Sequence, residues 1–199
     1  MQQTGGVDIV LTHAYFLADD PKEQQIMKPY APLGLLYLSA HLRRAGFAVE
    51  VFDSTFEERA AMRARLAATP GGVLGIYTNL MTRATVLWVI AEARAHGWTV
   101  VCGGPESANY PAEYLAHGAS VVVIGEGEET LRELLPALRS RGPHRLEDVA
   151  GLAFVDEHGE VVRTPAREKI KDLDSLAWPD RDAVDTARYV DVWRTHHGM

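Results

Sequence analysis

Val100-Val101-Cys102-Gly103-Gly104-Pro105 and Val121-Val122-Val123-Ile124-Gly125-Glu126-Gly127-Glu128-Glu129-Thr130 are two apolar runs that each end abruptly in glycine. In an open parallel sheet, ligands bind at the carboxyl ends of the strands. Glycine lacks Cβ, so it permits both a close backbone approach and turns with positive φ. Two such loops in one sheet point to a flat or bulky ligand lying across the strand ends.

Working outward, five short apolar runs alternate with helical patterns. The first strand is Val7-Asp8-Ile9-Val10-Leu11, and a long loop follows it through Tyr30. A helix then starts at Pro32 and ends before Gly46, with Leu33, Leu36, Tyr37 and Ala40 on one face. Residues 48–52 form the second strand and a charged helix covers 56–67. Val73-Leu74-Gly75-Ile76-Tyr77 is the third strand. The helix over 82–96 has Thr82 as N-cap and Gly97 just past its end. Strand four covers 99–102, a short helix 111–117 and strand five 120–124. The last helix begins near Glu128, and Pro136 within it calls for a kink or an earlier start. Strands joined by crossover helices imply a parallel sheet covered on both faces. The expected class is α/β, a doubly wound five-stranded parallel sheet.

After Gly142 the pattern changes. Gly151-Leu152-Ala153-Phe154-Val155 and Glu160-Val161-Val162-Arg163 flank Gly159 and read as a β-hairpin. Residues 171–180 have no period and read as an irregular strap. Residues 189–199 read as a loose tail in which His196-His197 make a poor metal pair.

The 199 residues carry a formal charge of −7 with no Lys/Arg run, which argues against a nucleic-acid partner. No apolar run approaches the roughly 18 residues that cross a bilayer, and Met1-Gln2-Gln3-Thr4-Gly5-Gly6 lacks the features of a signal peptide. A single cysteine permits no internal disulfide, so a cytoplasmic location is expected. Cys102 alone also cannot hold an iron–sulfur cluster or a cysteine-built zinc site.

The stretch Pro29-Tyr30-Ala31-Pro32-Leu33-Gly34-Leu35-Leu36-Tyr37-Leu38-Ser39-Ala40-His41-Leu42-Arg43 resembles the first-helix signature of cobalamin-binding domains in class B radical SAM proteins. Gly103-Gly104-Pro105 is similar to that family's GGP loop, and residues 119–130 to its VVVIGEGEET segment. Ala150-Gly151-Leu152-Ala153-Phe154 resembles its hairpin, and Asp172-Leu173-Asp174 with Pro179-Asp180-Arg181 its strap. The resemblance implies a Rossmann-like or flavodoxin-like cobalamin domain over 1–142. Residues 143–199 would be hairpin and linker, leading to a radical SAM domain beyond this chain. That domain would carry CxxxCxxC, a 4Fe–4S cluster and S-adenosylmethionine. By itself the chain would hold cobalamin for methyltransferase or cyclase chemistry performed elsewhere.

Two departures matter. Glu106-Ser107 follow GGP where the family has His and a small residue. The DxHxxG motif, whose histidine ligates cobalt in the wider fold, is missing, because Asp156-Glu157-His158 lies in the hairpin and lacks the glycine. The resemblance therefore implies base-off binding without a histidine ligand.

Single residues carry alternative readings. Thr78-Asn79-Leu80 either lines the channel for the cobalamin nucleotide tail, with a hydroxyl for a base nitrogen, or caps the next helix. Gly103, Gly104 and Pro105 form a ligand contact or an ordinary turn, and two adjacent glycines favour contact. Gly125, Glu126 and Gly127 read poorly as a phosphate loop, since Glu126, Glu128 and Glu129 would repel the anion and suit a helix N-terminus. The resemblance implies that this loop holds the cofactor by backbone proximity, with Glu126 alternatively meeting an amide of the corrin rim. His13 and Tyr15 follow strand one, where the lower corrin face is expected, and His13 reads otherwise as a solvated loop histidine. Residues 17–28 are long enough for a lid. Cys102 reads as a small buried hydrophobe, and Trp88 and Trp98 as packing. A second class of function is a stand-alone flavodoxin-like carrier for cobalamin or another flat ligand such as flavin. A receiver domain is disfavoured because Thr78-Asn79 stand where its aspartate would be, and a nucleotide enzyme because strand one lacks GxGxxG and GxxxxGK(S/T).

Overall fold

The apolar runs become strands, buried in the middle of the sheet and part-exposed at its two edges, because each is short and bounded by turn residues. The structure, a computed structural model, describes residues 6–198; the reading of residues 1–5 as lacking a leader lies outside them. Strands β1 (Ile9–Thr12), β2 (Val49–Val51), β3 (Val73–Tyr77), β4 (Thr99–Gly103) and β5 (Val121–Val123) run parallel in the order β2-β1-β3-β4-β5. β6 (Leu152–Val155) and β7 (Val161–Arg163) are the expected hairpin. They extend the same sheet as its antiparallel edge, with Val122 opposite Ala153, so among the described residues the sheet has seven strands.

Alternation along each strand feeds two cores. Val10, Leu74, Ile76, Val100, Cys102 and Val122 face one way. There they meet α3 (Arg59–Ala68), α4 (Arg83–Ala95) and α6 (Pro111–Ala116) through Met62, Leu66, Val89, Ile90 and Tyr114. Ile9, Leu11, Val101, Val121 and Val123 face the other way, against Leu35 and Leu42 of α2 (Leu33–Arg44) and Leu131, Leu134 and Leu135 of α7 (Gly127–Arg141). Each such leucine contributes about 1.5–3 kcal/mol by leaving water. The sheet is thus doubly wound, and its strand order reverses between the neighbouring strands β1 and β3. A crevice forms at such a switch point, at the carboxyl ends of the strands.

Four local readings need correction. The loop before α2 contains α1 (Pro21–Ile26), capped by Asp20, whose carboxylate accepts from the amides of Lys22 and Glu23. Thr82 occupies the N-cap of α4 but makes no side-chain capping bond there, since its hydroxyl faces Asn79. α7 starts at Gly127 and runs unbroken through Pro136. Pro136 and Arg132 both lie on the exposed face, so the carbonyl that proline leaves unpaired has access to water. The tail is a helix, α8 (Thr186–His197), capped by Asp185 and ended by Gly198 in the left-handed region.

Candidate functional site

The loops that leave β1, β3, β4 and β5 gather the sequence-read residues at one end of the sheet. At the end of β3, the Thr78 amide donates to the Gly103 carbonyl at 2.7 Å. The buried Thr78 hydroxyl accepts from the Ser107 amide at 2.9 Å and lies 3.0 Å from the Gly103 carbonyl and 2.9 Å from the Ser107 hydroxyl. The two loops are stitched together through Thr78, so its hydroxyl is not the free donor expected from sequence. Asn79 turns the chain by accepting from the Thr82 amide at 3.0 Å. This turn projects Leu80 and Met81 outward, 71% and 84% exposed.

Gly103 has room for a side chain, the nearest atom to an added Cβ being Val123 Cβ at 3.8 Å. Gly104 does not. Its φ is +103° and an added Cβ would sit 2.5 Å from the Thr78 carbonyl oxygen. The glycine at 104 is therefore required by the protein's own backbone, which corrects the reading that ligand approach explains both glycines. Pro105 opens α5 (Pro105–Asn109), a helix too short to be legible in the sequence. Gly125 is exposed at φ +91° with open space around it, and Glu126 caps α7 by position, its carbonyl accepting from Thr130 Oγ1 at 2.6 Å. Gly127 packs against Leu38, where a Cβ would approach to 3.1 Å. The exposed apolar surface of Tyr77, Leu80, Met81 and Tyr110 thus stands beside loops of bare backbone.

Beneath these loops the Tyr114 hydroxyl is buried with no hydrogen-bond partner among the described residues. Burial, then the nearby Glu106 carboxylate, pushes its pKa up to about 12, so it remains a neutral donor. Glu106 is itself buried and pairs with Arg83 at 3.1 Å; Arg83 also pairs with Glu113. The cation at this edge is therefore neutralised and unsuited to a phosphate. Full burial raises the Cys102 thiol, leaving an inert hydrophobe as expected.

His13 departs most from its sequence reading. It is buried rather than solvated, because the loops after β1 and β2 close over it. Its Nε2 lies 3.0 Å from Asp53 Oδ1, and its Nδ1 accepts from the Tyr15 amide at 3.3 Å. Asp53 also accepts from the Thr55 amide at 3.1 Å and from the hydroxyl of Tyr189, on α8, at 2.7 Å. Burial alone would raise the Asp53 carboxyl, but the hydrogen bonds from His13 and Tyr189 prevail and hold it at about 2. Tyr15, half-buried and near Asp20, Glu23 and Tyr30, is pushed up to about 12, first by burial. Asp53 and Tyr189 were missed in the sequence. The polar run Asp53-Ser54-Thr55 directly after an apolar strand is the signal that marks the first of them.

This end of the sheet matches a known family. The B12 binding domain family covers residues 26–135. The chain belongs to it. The match spans the loops after β3, β4 and β5, while His13 and Tyr15 lie before it.

Among curated proteins, the B12-binding domain is 37% identical over 87 residues to an uncharacterized methyltransferase, sll1242, of Synechocystis; the match covers 43% of this chain and 15% of that protein. It is 24% identical over 174 residues to the anaerobic magnesium-protoporphyrin IX monomethyl ester cyclase of Rubrivivax gelatinosus, covering 83% of this chain and 31% of the relative. The chain thus spans less than a third of either relative.

Its fold superposes on the cobalamin-dependent S-adenosylmethionine radical enzyme OxsB with aqua-cobalamin bound, at a TM-score of 0.74 and 21% identity, over 92% of this chain and 25% of that one. The radical S-adenosylmethionine methyltransferase TsrM from Kitasatospora setae, with cobalamin and a 4Fe–4S cluster bound, gives 0.66 and 22% over 94% of this chain and 38% of its own. No helix among the described residues is long and apolar enough to cross a membrane.

Proposed function

We propose that this domain holds cobalamin base-off, with the corrin over the carboxyl ends of β1, β3, β4 and β5 and no histidine on the cobalt. The observation that carries the reading is the condition of His13. Both of its ring nitrogens already have partners inside the protein, and nothing in the chain supplies DxHxxG in its place. The remaining residues suit such a cofactor. Bare backbone at Gly103 and Gly125 allows close approach of a flat ring, and Tyr77, Leu80, Met81 and Tyr110 offer it exposed apolar surface. The unpartnered Tyr114 hydroxyl gives a polar tail something to meet. Glu126, part-buried at the start of α7, would meet an amide of the corrin rim, whereas Glu106 is held by Arg83.

Cobalamin, when bound, supplies a cobalt centre able to carry a methyl group. The chain's own residues at the ends of β3, β4 and β5 would bind and orient it. The parent activity we propose is that of a radical SAM methyltransferase or cyclase, in the cytoplasm. Its 4Fe–4S cluster and S-adenosylmethionine would be held by a partner domain, because Cys102 is the only cysteine and is buried.

Calorimetric titration with hydroxocobalamin, and separately with FMN, tests the binding claim. Saturable one-to-one uptake of the corrin alone is expected. Uptake of FMN in preference, or of neither, would overturn the reading and, in the first case, favour a flavodoxin-like carrier.

A further inference from the structure

The Asp53 carboxylate has no free oxygen. Oδ1 accepts from His13 Nε2 and the Thr55 amide, and Oδ2 accepts from the Tyr189 hydroxyl. An ionised carboxylate only accepts, so His13 Nε2 must carry the proton it shares with Asp53. In the neutral ring Nδ1 is then the bare nitrogen, and it lies where the Tyr15 amide donates to it. One tautomer and one ring orientation satisfy both ends.

What fixes this arrangement arrives from far away in the chain. Tyr189 stands on α8 and is itself buried, its ring edge-on to Phe56 at 4.7 Å and its hydroxyl 2.8 Å from Thr55 Oγ1. α8 is anchored elsewhere as well. The Trp193 indole donates to the Pro29 carbonyl at 2.7 Å, His197 lies 3.0 Å from the Met27 carbonyl, and Arg188 sits over Phe56 at 4.6 Å. The helix thus bridges the loops after β1 and β2, and Tyr189 is its side chain that hydrogen-bonds Asp53.

We propose that Tyr189 is a positioning residue that locks His13, through Asp53, with both ring nitrogens turned into the protein, and that α8 thereby sets the axial ligation of a cofactor above the strand ends. Without the Tyr189 hydroxyl, Asp53 Oδ2 loses its partner and the carboxylate is held through Oδ1 alone, by the Thr55 amide and His13. The acceptor that specifies the His13 tautomer is then fixed at one oxygen instead of two, which loosens the ring and lets a ring nitrogen reach a metal. The consequence for cobalt rests on the cobalamin reading; the lock itself does not.

Nitrogen NMR of histidine-labelled, cofactor-free protein at about pH 8, where an ordinary imidazole is neutral, tests the lock directly. Wild type should show His13 in a single tautomer protonated at Nε2. Tyr189→Phe should show a mixture, while Trp193→Phe, which removes another α8 anchor, should keep the wild-type signal. With cobalamin reduced to the Co(II) state, electron paramagnetic resonance should show no nitrogen coupling in wild type and coupling in Tyr189→Phe that Tyr189→Phe/His13→Ala loses. An unchanged tautomer in Tyr189→Phe, a mixture already present in wild type, or an equal effect of Trp193→Phe would overturn the proposal. If no cobalamin binds while the tautomers behave as stated, the lock stands and the cofactor assignment fails.

Discussion

A Cβ built on Gly104 would lie 2.5 Å from the Thr78 carbonyl oxygen and 3.0 Å from the Thr78 amide nitrogen. Neither atom can yield, because both belong to backbone at the end of β3, and φ of +103° adds strain for any other residue. Gly104→Ala should therefore cost about 2–4 kcal/mol of stability, measured by urea unfolding with no ligand present. The neighbouring Gly103→Ala meets nothing closer than 3.8 Å and should stay within about 0.5 kcal/mol of wild type. On the proposed binding mode, cobalamin affinity should nevertheless fall at least tenfold in Gly103→Ala, since the added methyl would enter the space proposed for the corrin. An equal stability loss in both variants would contradict this division of roles.

Tyr114 offers a converse case, a polar atom that the folded protein leaves without a partner. Tyr114→Phe should be neutral to stabilising by about 1 kcal/mol, because a buried unpaired hydroxyl carries a desolvation cost. If that hydroxyl serves the cofactor's tail, the same variant should bind cobalamin more weakly. Thermal unfolding and titration on one preparation read both effects.

Asp53 links stability to pH. Its carboxyl is held at about 2 in the folded protein, against an ordinary 3.8. A lowered folded pKa contributes stability above the unfolded pKa and loses it as pH falls through the folded one. The contribution, on the order of 2 kcal/mol, should be present above about pH 4 and vanish by about pH 2. Asp53→Asn should flatten the unfolding free energy across that window. Unaltered steepness in the variant would mean that other carboxylates govern it.

Pro136→Ala should raise the melting temperature. The interior proline removes one helical hydrogen bond from α7 on its exposed face, and alanine restores it with a gain of about 1–2 kcal/mol after the loss of proline's stiffening of the unfolded chain.

What was legible in the sequence was local. The apolar runs 73–77, 99–102 and 120–124 announce strands because their spacing and glycine ends depend on nearby residues alone. The same holds for α2, with proline at its start and glycine after it, and for the hairpin around Gly159. α8 was not legible, because Tyr189 and Trp193 are its only large aromatic anchors and charged residues surround them. Their burial depends on loops more than 130 positions away. His13 failed for the same reason, since only the fold brings Asp53 beside it. The Thr78 loop follows an apolar run and so is legible as the end of a strand, yet its hydroxyl partners, Gly103 and Ser107, are fixed by the β3–β4 register rather than by its own neighbours.

The proposed cobalamin site uses no histidine. Loading the chain with hydroxocobalamin, desalting it and recording the visible spectrum is its sharpest test. Retained corrin absorbance of base-off character, the same in His13→Ala, is expected. A colourless protein, or a nitrogen-ligated spectrum that His13→Ala abolishes, would contradict it.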